Sequence, residues 1–465
     1  CAIDPQALSE RILASMKRRK FLGVTLGSAT SLATVSCRSA SETCSKRNAA
    51  EQLAVPDGCR LAGRTLPELR DEYRFWLFDD FLPFMDRHVI DHEFGGFLCT
   101  TDRRGVNLSD SKSSWYEGRG IWVYSFLYQH LAREEKNLEA ARKSVELILK
   151  SKPKDPEGTW SKELDRQGNP VSPPSVQVYG DLFIAEGLAE YSRASGKPEY
   201  WDRAKEIVLK CVRIYDRPDY NAEIGKTYLG PDARSFPGAR ILGVWMVLIR
   251  VSTQMLRIRQ DRDLENLAAR CVNAIMNHHF NPEFDLLNEL INHDLSRPDN
   301  EYAQLVYTGH ALETLWMVMD EALRLRDRAL FERTGDRFLR HFQVAWDDVY
   351  GGVFRDLQHV DNNTWLVDKV LWAQEEVLIG ALMMVEHLGS EQGREVFSKM
   401  YAYVIENYPL RKHGYALWDS AGDRKMTFVE AGSRAEHYHH PRHLMLNLLS
   451  LDRIIEREGK MSGLI

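Results

Sequence analysis

From Thr65 to the C-terminus, apolar residues recur at i, i+3, i+4 and i+7 in one segment after another, and no run alternates as a half-buried strand would. That period makes the body all-α. The periodic segments lie near 66–89, 114–133, 136–150, 176–195, 198–217, 236–260, 262–280, 303–326, 328–345, 369–389, 392–408 and 440–458. Breaks within several pairs are short, as at Ser195-Gly196-Lys197-Pro198 and Gly389-Ser390-Glu391. The connections between pairs are long and rich in Gly, Asn, Asp and Pro. Twelve helices in six hairpins either stack as an open solenoid or close into a ring. Polar and aromatic side chains on the inner segments favour closure: Trp115, Glu117, Arg119 and Trp122; His310 and Glu313; Trp372, Gln374 and Glu376. Such residues need a shared polar cavity, and an (α/α)6 barrel supplies one, with inner helices lining a funnel and long loops at its mouth. The connections 92–97, 348–354 and 413–418 carry glycine plus aromatics and are expected to form small β-hairpins over that mouth.

Composition narrows the partners more than the fold. The chain is 44% hydrophobic and 28% charged over 465 residues, an ordinary soluble globular balance. A net charge of -6, with no basic run beyond Lys17-Arg18-Arg19-Lys20, argues against a nucleic-acid surface. Seven cysteines without a C-x-x-C give neither a disulfide framework nor a structural zinc site. Residues 16–37 run from a basic start through an uncharged stretch of small and apolar residues to Cys37, the order of an export signal. Arg18-Arg19-x-Phe21-Leu22 resembles a twin-arginine signal, and Thr34-Val35-Ser36-Cys37 loosely resembles a lipoprotein box. Residues 1–60 are therefore expected to be a leader and tether with a true start at Met16, dispensable for catalysis, and 61–465 the catalytic domain. The protein is then exported, periplasmic or held at the membrane surface by a lipid on Cys37. The plainer reading of this stretch is an amphipathic or transmembrane helix, and the protein is cytoplasmic if the leader is not a signal.

Two histidine groups offer chemistry. His310 and Glu313 stand at i and i+3 on an inner helix, where a carboxylate beside an imidazole can fix its tautomer and raise its basicity. A solvated His and Glu is the plainer reading, and flanking Gly309, Leu312, Leu315 and Trp316 favour enclosure. The run Glu436-His437-Tyr438-His439-His440-Pro441-Arg442-His443 precedes the last helix. His439 and His443 have the i, i+4 spacing of zinc ligands, although no Glu follows His439 and Arg442 beside the pair would repel a cation. A second acid/base histidine, His439 or His440, is the other reading. Arg119 among Trp115 and Trp122 suits a sugar oxygen or a developing oxyanion, or else an inter-helix salt bridge with Glu117 or another acid. Trp372, Gln374 and Glu376 fit a pocket wall or a buried ion pair, and Tyr179 a packing residue or a pocket lining.

Taken in order, Gly95-Gly96-Phe97, Lys112 with Trp115 and Gly118-Arg119, Tyr128, Tyr179-Gly180 with Phe183, Gly309-His310-x-x-Glu313 with Trp316, Gly351-Gly352-x-Phe354, Trp372-x-Gln374-x-Glu376 and His439-x-Pro441-Arg442 resemble the N-acylglucosamine 2-epimerase family, which includes cellobiose 2-epimerases and related aldose–ketose isomerases. The resemblance spans about Leu66 to Leu451. It implies an (α/α)6 barrel, catalytic histidines at His310 and His439, a supporting acid at Glu313 and a substrate-binding arginine at Arg119. It also implies substrate contacts from Trp115, Tyr179, Trp372, Gln374 and Glu376. The implied reaction opens a sugar ring, removes the C2 proton and returns one from the opposite face, with no metal or redox cofactor. Protonation at C1 instead would make the enzyme an aldose–ketose isomerase. The implied partner is a small sugar, and a homodimer is compatible. Glycoside hydrolases also use this barrel and would need a carboxylate pair such as Glu313 and Glu376; a tethered sugar-binding protein without catalysis is the third class. The segment Phe236–Met246 lacks the further histidine of cellobiose 2-epimerases, which points toward the N-acylglucosamine branch, with Arg240 and Trp245 as candidates for shaping that wall.

Overall fold

The computed structural model describes residues 60–220, 234, 236–434 and 437–465. The leader, its signal motifs and Cys37 lie outside the described residues. Thr65 starts the first helix with a capping box: its hydroxyl accepts from the Glu68 amide while the Glu68 carboxylate takes the Thr65 amide, and Pro67 sits in the first turn. This helix is α1 (Leu66–Arg74), a π-helical stretch (Phe75–Phe81) and α2 (Leu82–His88) in direct succession. The others are α3 (Ser114–His130), α4 (Glu135–Lys150), α5 (Tyr179–Ser195), α6 (Glu199–Tyr215), α7 (Leu242–Ile258), α8 (Arg262–Asn273), α9 (Thr308–Leu325), α10 (Arg328–Ala345), α11 (Leu371–Leu388), α12 (Glu391–Asn407) and α13 (His439–Glu456).

Burial separates two layers. In α4 one stripe is covered, from Ala140 and Ala141 through Ser144, Val145 and Ile148, as an outer helix requires. In α11 every residue from Ala373 to Leu382 is buried, so this helix is enclosed on all sides. Helices α3, α5, α7, α9, α11 and α13 each pack on the next, and α13 returns to α3. The first helix, α1, packs against the last, α13, so the two ends of the body complete one hairpin between them. This closure decides for the (α/α)6 barrel over an open solenoid.

The expected hairpins at 92–97, 348–354 and 413–418 are instead tight turns closed by single bridges, Ile90 with Phe97, Trp346 with Val353 and Pro409 with Trp418. The strand pairs of the mouth lie elsewhere. Lys112–Ser113 pairs with Glu163–Leu164, Arg240–Ile241 with Leu290–Ile291, and Lys369–Val370 with Ala421–Gly422. Each leads directly into an inner helix, so α7 and α11 begin later than their periodicity suggests. Among the described residues, no helix is long and apolar enough to cross a membrane.

Two mouth loops are locked by the same device. Lys112 Nζ donates to Asp91 Oδ2 at 3.0 Å and to the Gly95 carbonyl at 2.5 Å, and Arg166 Nε reaches Asp91 at 2.9 Å. Lys369 Nζ donates to the Gly351 and Gly352 carbonyls at 2.6 and 3.1 Å, and Arg424 forks onto Asp347 with both bonds at 2.8 Å. Gly95, Gly96, Gly351 and Gly352 all have φ between 73° and 80°, the left-handed region that Cβ penalises. Burial pushes the Asp91 carboxyl up, but Arg166, Lys112 and the Phe94 amide outweigh it and hold it at about 2. A carboxyl lowered on folding adds stability above its unfolded value, and the gain is lost as pH falls through the folded one. Asp91→Asn is therefore expected to cost about 3 kcal/mol at pH 7, with Lys112 left buried and unpaired. Denaturant unfolding at pH 3 should show the gap narrowed by about 1 kcal/mol. An equal gap at both pH values would show that the charge of Asp91 adds nothing.

Candidate active site

Several residues of the site stand in the first turns of inner helices, at one end of the barrel. Tyr179 begins α5, Gly243 is the second residue of α7, His310 the third of α9, Trp372 the second of α11, and His439 begins α13. Their contacts run in a closed circle. Trp115 lies 5.1 Å from Tyr179, centroid to centroid. A Cβ on Gly243 would meet the Tyr179 hydroxyl at 2.7 Å and the His310 ring at 3.0 Å, so glycine is what lets those two groups share the wall. His310 lies 5.9 Å from Trp372, which lies 5.4 Å from His439. His439 packs on Tyr438, and Arg119 returns the circle to Trp115, its guanidinium carbon over the rings of Phe183, Tyr438 and Trp115 at 4.2, 4.7 and 5.2 Å. Gly309 lets Trp372 lie against α9, for a Cβ there would stand 2.6 Å from the indole.

Each of the two histidines on the circle has a carboxylate on Nδ1. His310 Nδ1 is 2.9 Å from Glu289 Oε1, and His439 Nδ1 is 2.9 Å from Glu376 Oε1. A carboxylate accepts only, so the His310 Nδ1 carries the proton and its Nε2 is the basic nitrogen, whereas the His439 Nδ1 faces both the Glu376 carboxyl and, at 3.0 Å, the Arg442 Nη2 donor. The rings differ in access, with side-chain exposures of 23% for His310 and 7% for His439. Behind His439, Arg442 Nη2 donates to Glu313 Oε1 at 2.6 Å and to Glu376 Oε1 at 2.5 Å, and Glu376 Oε2 accepts from Trp316 Nε1 at 2.6 Å. Burial pushes the Glu376 carboxyl above its usual range despite Arg442 and Trp316.

Several expectations are corrected by this geometry. Glu313 does not support His310: three residues along a helix carry it 4.5 Å deeper, where it binds Arg442, and the acid on His310 is Glu289. Gln374 has no polar atom left for a sugar, because its amide serves the Val353 carbonyl, the Val353 amide and the Val370 carbonyl. Glu376 is the orienting acid of His439 and is fully buried, so it lines no pocket. His439 and His443 do not form a ligand pair: His439 faces Glu376, while His443 Nε2 faces the Tyr73 hydroxyl of the outer layer at 2.9 Å. Glu313, Glu376 and His439 are close enough to hold a cation, but the Arg442 guanidinium already lies between the two carboxylates and supplies the positive charge there. Glu117 binds Ser144 and the Phe97 amide, and no bond joins it to Arg119. Arg240 turns away to the carbonyls of Gly238, Asp216 and Arg217, and Trp245 packs on Tyr215, so neither shapes the site wall.

Glu289 and Gly243 escaped the sequence reading. Glu289 is an acid inside the apolar run Leu286–Ile291, and an acid that must be buried there is a signal for a partner. Gly243→Ala is expected to leave the helical signal intact and lower turnover about 100-fold, since it displaces Tyr179 and His310 together. Turnover at the wild-type rate would show that the two groups need not share that wall.

At one end of the (α/α)6 barrel, then, two imidazoles, each beside a buried acid, flank one indole. The model of the family N-acylglucosamine 2-epimerase (GlcNAc 2-epimerase) matches residues 84–441, and the chain belongs to that family. It is 25% identical over 395 residues to the N-acylglucosamine 2-epimerase of Mus musculus, covering 82% of this chain and 91% of the relative. It is 21% identical to the cellobiose 2-epimerase of Bacteroides fragilis, over 76% of this chain and 92% of the relative. Among solved structures, the cellobiose 2-epimerase from Bacillus thermoamylovorans B4167 superposes with a TM-score of 0.70 at 18% identity, covering 82% of this chain and 99% of that one, a likeness of fold.

Proposed function

We propose that the protein is a sugar 2-epimerase that works with two bases, His310 and His439, on an aldose or an N-acyl-hexosamine. The observation that carries this reading is the matched pair of Nδ1–carboxylate contacts, one on either side of Trp372. After ring opening, Nε2 of one histidine takes the C2 proton. The C–H electron pair moves into the C1–C2 bond, and the aldehyde oxygen becomes the enediolate oxygen. The second histidine, protonated on Nε2, returns a proton to the other face of C2, and the charge flows back to the carbonyl. Arg119, held in its aromatic cage, and the inner-helix N-termini supply positive potential to the oxygen. Trp115, Tyr179 and Trp372 give flat walls for the sugar.

A hydrolase needs two carboxylates across the scissile bond with room between them. Glu313 and Glu376 instead converge on one Arg442 nitrogen. Proton NMR in D2O with N-acetylmannosamine, mannose, glucose and cellobiose tests the proposal. Deuterium is expected at C2 of at least one sugar, with its 2-epimer appearing. Deuterium at C1 of a ketose would make the enzyme an isomerase. Monosaccharide released from cellobiose without C2 exchange would overturn the proposal.

A further inference from the structure

Residues 375–376 and 439–440 are two successive acids and two successive histidines on neighbouring inner helices, and they pair in parallel. Glu376 binds His439 on the barrel interior; Glu375 binds His440 Nδ1 at 2.5 Å on the side facing the outer layer. The two pairs differ in their charge balance. The inner carboxylates share the Arg442 guanidinium. Among the described residues, no lysine or arginine pairs with Glu375; its ionic partners are His440 and, at 3.4 Å, His443. Around it stand Tyr73 of α1, which also meets His443 and Asn447, Tyr408 after α12, and Glu376 on its own helix. Phe81 and Trp418 cover His440, whose buried Nε2 has no hydrogen-bond partner. A proton on that Nε2 would find no acceptor in the apolar wall. Burial acts against the Glu375 carboxylate, yet His440 and His443 hold it at about 2, so it stays ionised at neutral pH. Among the described residues, His439 faces Glu376, Glu313, Arg442 and the Tyr438 and Trp372 rings.

We propose that Glu375 is a positioning residue for the proton transfers: through His440 it pins the start of α13, and its buried negative charge favours the protonated form of His439. The inference rests on the two-base reading for its role in catalysis. The coupling itself is readable without substrate.

The test is an NMR titration of 15N-labelled histidine rings in the full chain, with resonances assigned through His439→Asn and His310→Asn. Glu375→Gln should lower the His439 midpoint by about one pH unit, the scale of a unit charge acting across a protein interior. The His310 midpoint should stay put, and Glu375→Asp should keep His439 near its wild-type value. An unmoved His439 midpoint in a folded Glu375→Gln variant, or equal shifts at both histidines, would overturn the proposal. Should Glu375→Gln fail to fold, His440→Gln removes the ring and keeps the charge; its His439 midpoint should hold or rise, and a fall would overturn the proposal. Stoichiometric zinc retained by the wild type and lost in His443→Asn would also overturn it, because the three donors would then be metal ligands. Absence of C2 exchange in the wild type would count against the reaction and leave this coupling to the titration.

Discussion

His439→Asn is expected to stop net epimerisation, with a loss of at least ~10²–10⁴-fold, the usual cost of removing a positioned acid or base. The substitution keeps the first turn of α13 and leaves Glu376 and Arg442 bonded to each other. The loss is selective in a way that a folding defect is not. With His310 intact, the variant should still exchange the C2 proton of the epimer whose hydrogen faces His310. His310→Asn should leave exchange of the other epimer. The two variants are therefore complementary in D2O, each washing out one sugar of the pair. Normal epimerisation by either would refute the assignment and direct attention to the remaining imidazoles of the 437–443 run.

Arg442→Met should be the most destabilising single change in the site. Its guanidinium is buried, donates to Glu313 and Glu376, and lies over the Trp316 and Tyr438 rings at 5.3 and 4.7 Å. Methionine fills much of the volume but leaves two carboxylates facing each other without a cation. Removing one partner of a buried ion pair costs roughly 3–5 kcal/mol, and one of the two acids is expected to take up a proton in compensation. Equilibrium unfolding in denaturant measures the loss. Adding Glu376→Gln to Arg442→Met should recover part of it, because the second change removes the stranded charge. A single variant as stable as wild type would show that the network is not held by Arg442.

The helical period and the polar residues on inner segments made the barrel legible, because enclosed helices that carry Trp115, Arg119, His310 and Trp372 have few other places to put them. Ring closure was suggested by those residues and is settled by the packing of α1 on α13, a contact between the two ends of the body that no local pattern encodes. His310 and His439 were legible as candidate bases, but the partner of His310 was not. The i+3 spacing singled out Glu313, whereas the hydrogen bond comes from Glu289, twenty-one residues earlier, on a loop brought beside α7 by the pairing of Arg240–Ile241 with Leu290–Ile291. On an inner helix, polar Glu376 and Gln374 fit a pocket wall or a buried ion pair equally well. Their burial turns one into the holder of His439 and the other into a clamp on the loop at Val353. Gly243 carried no signal, since its role is the absence of a side chain where Tyr179 and His310 meet.

The central claim is that two different groups serve the two faces of C2, and early isotope partition in D2O tests it most directly. At low conversion, proton NMR of both sugars of an epimeric pair measures where deuterium first enters. Two monoprotic imidazoles predict product that carries deuterium at C2 from the first turnovers, while recovered substrate keeps its hydrogen. Product that retains the substrate's C2 hydrogen would mean that one group removes and returns the same proton, and would contradict the account.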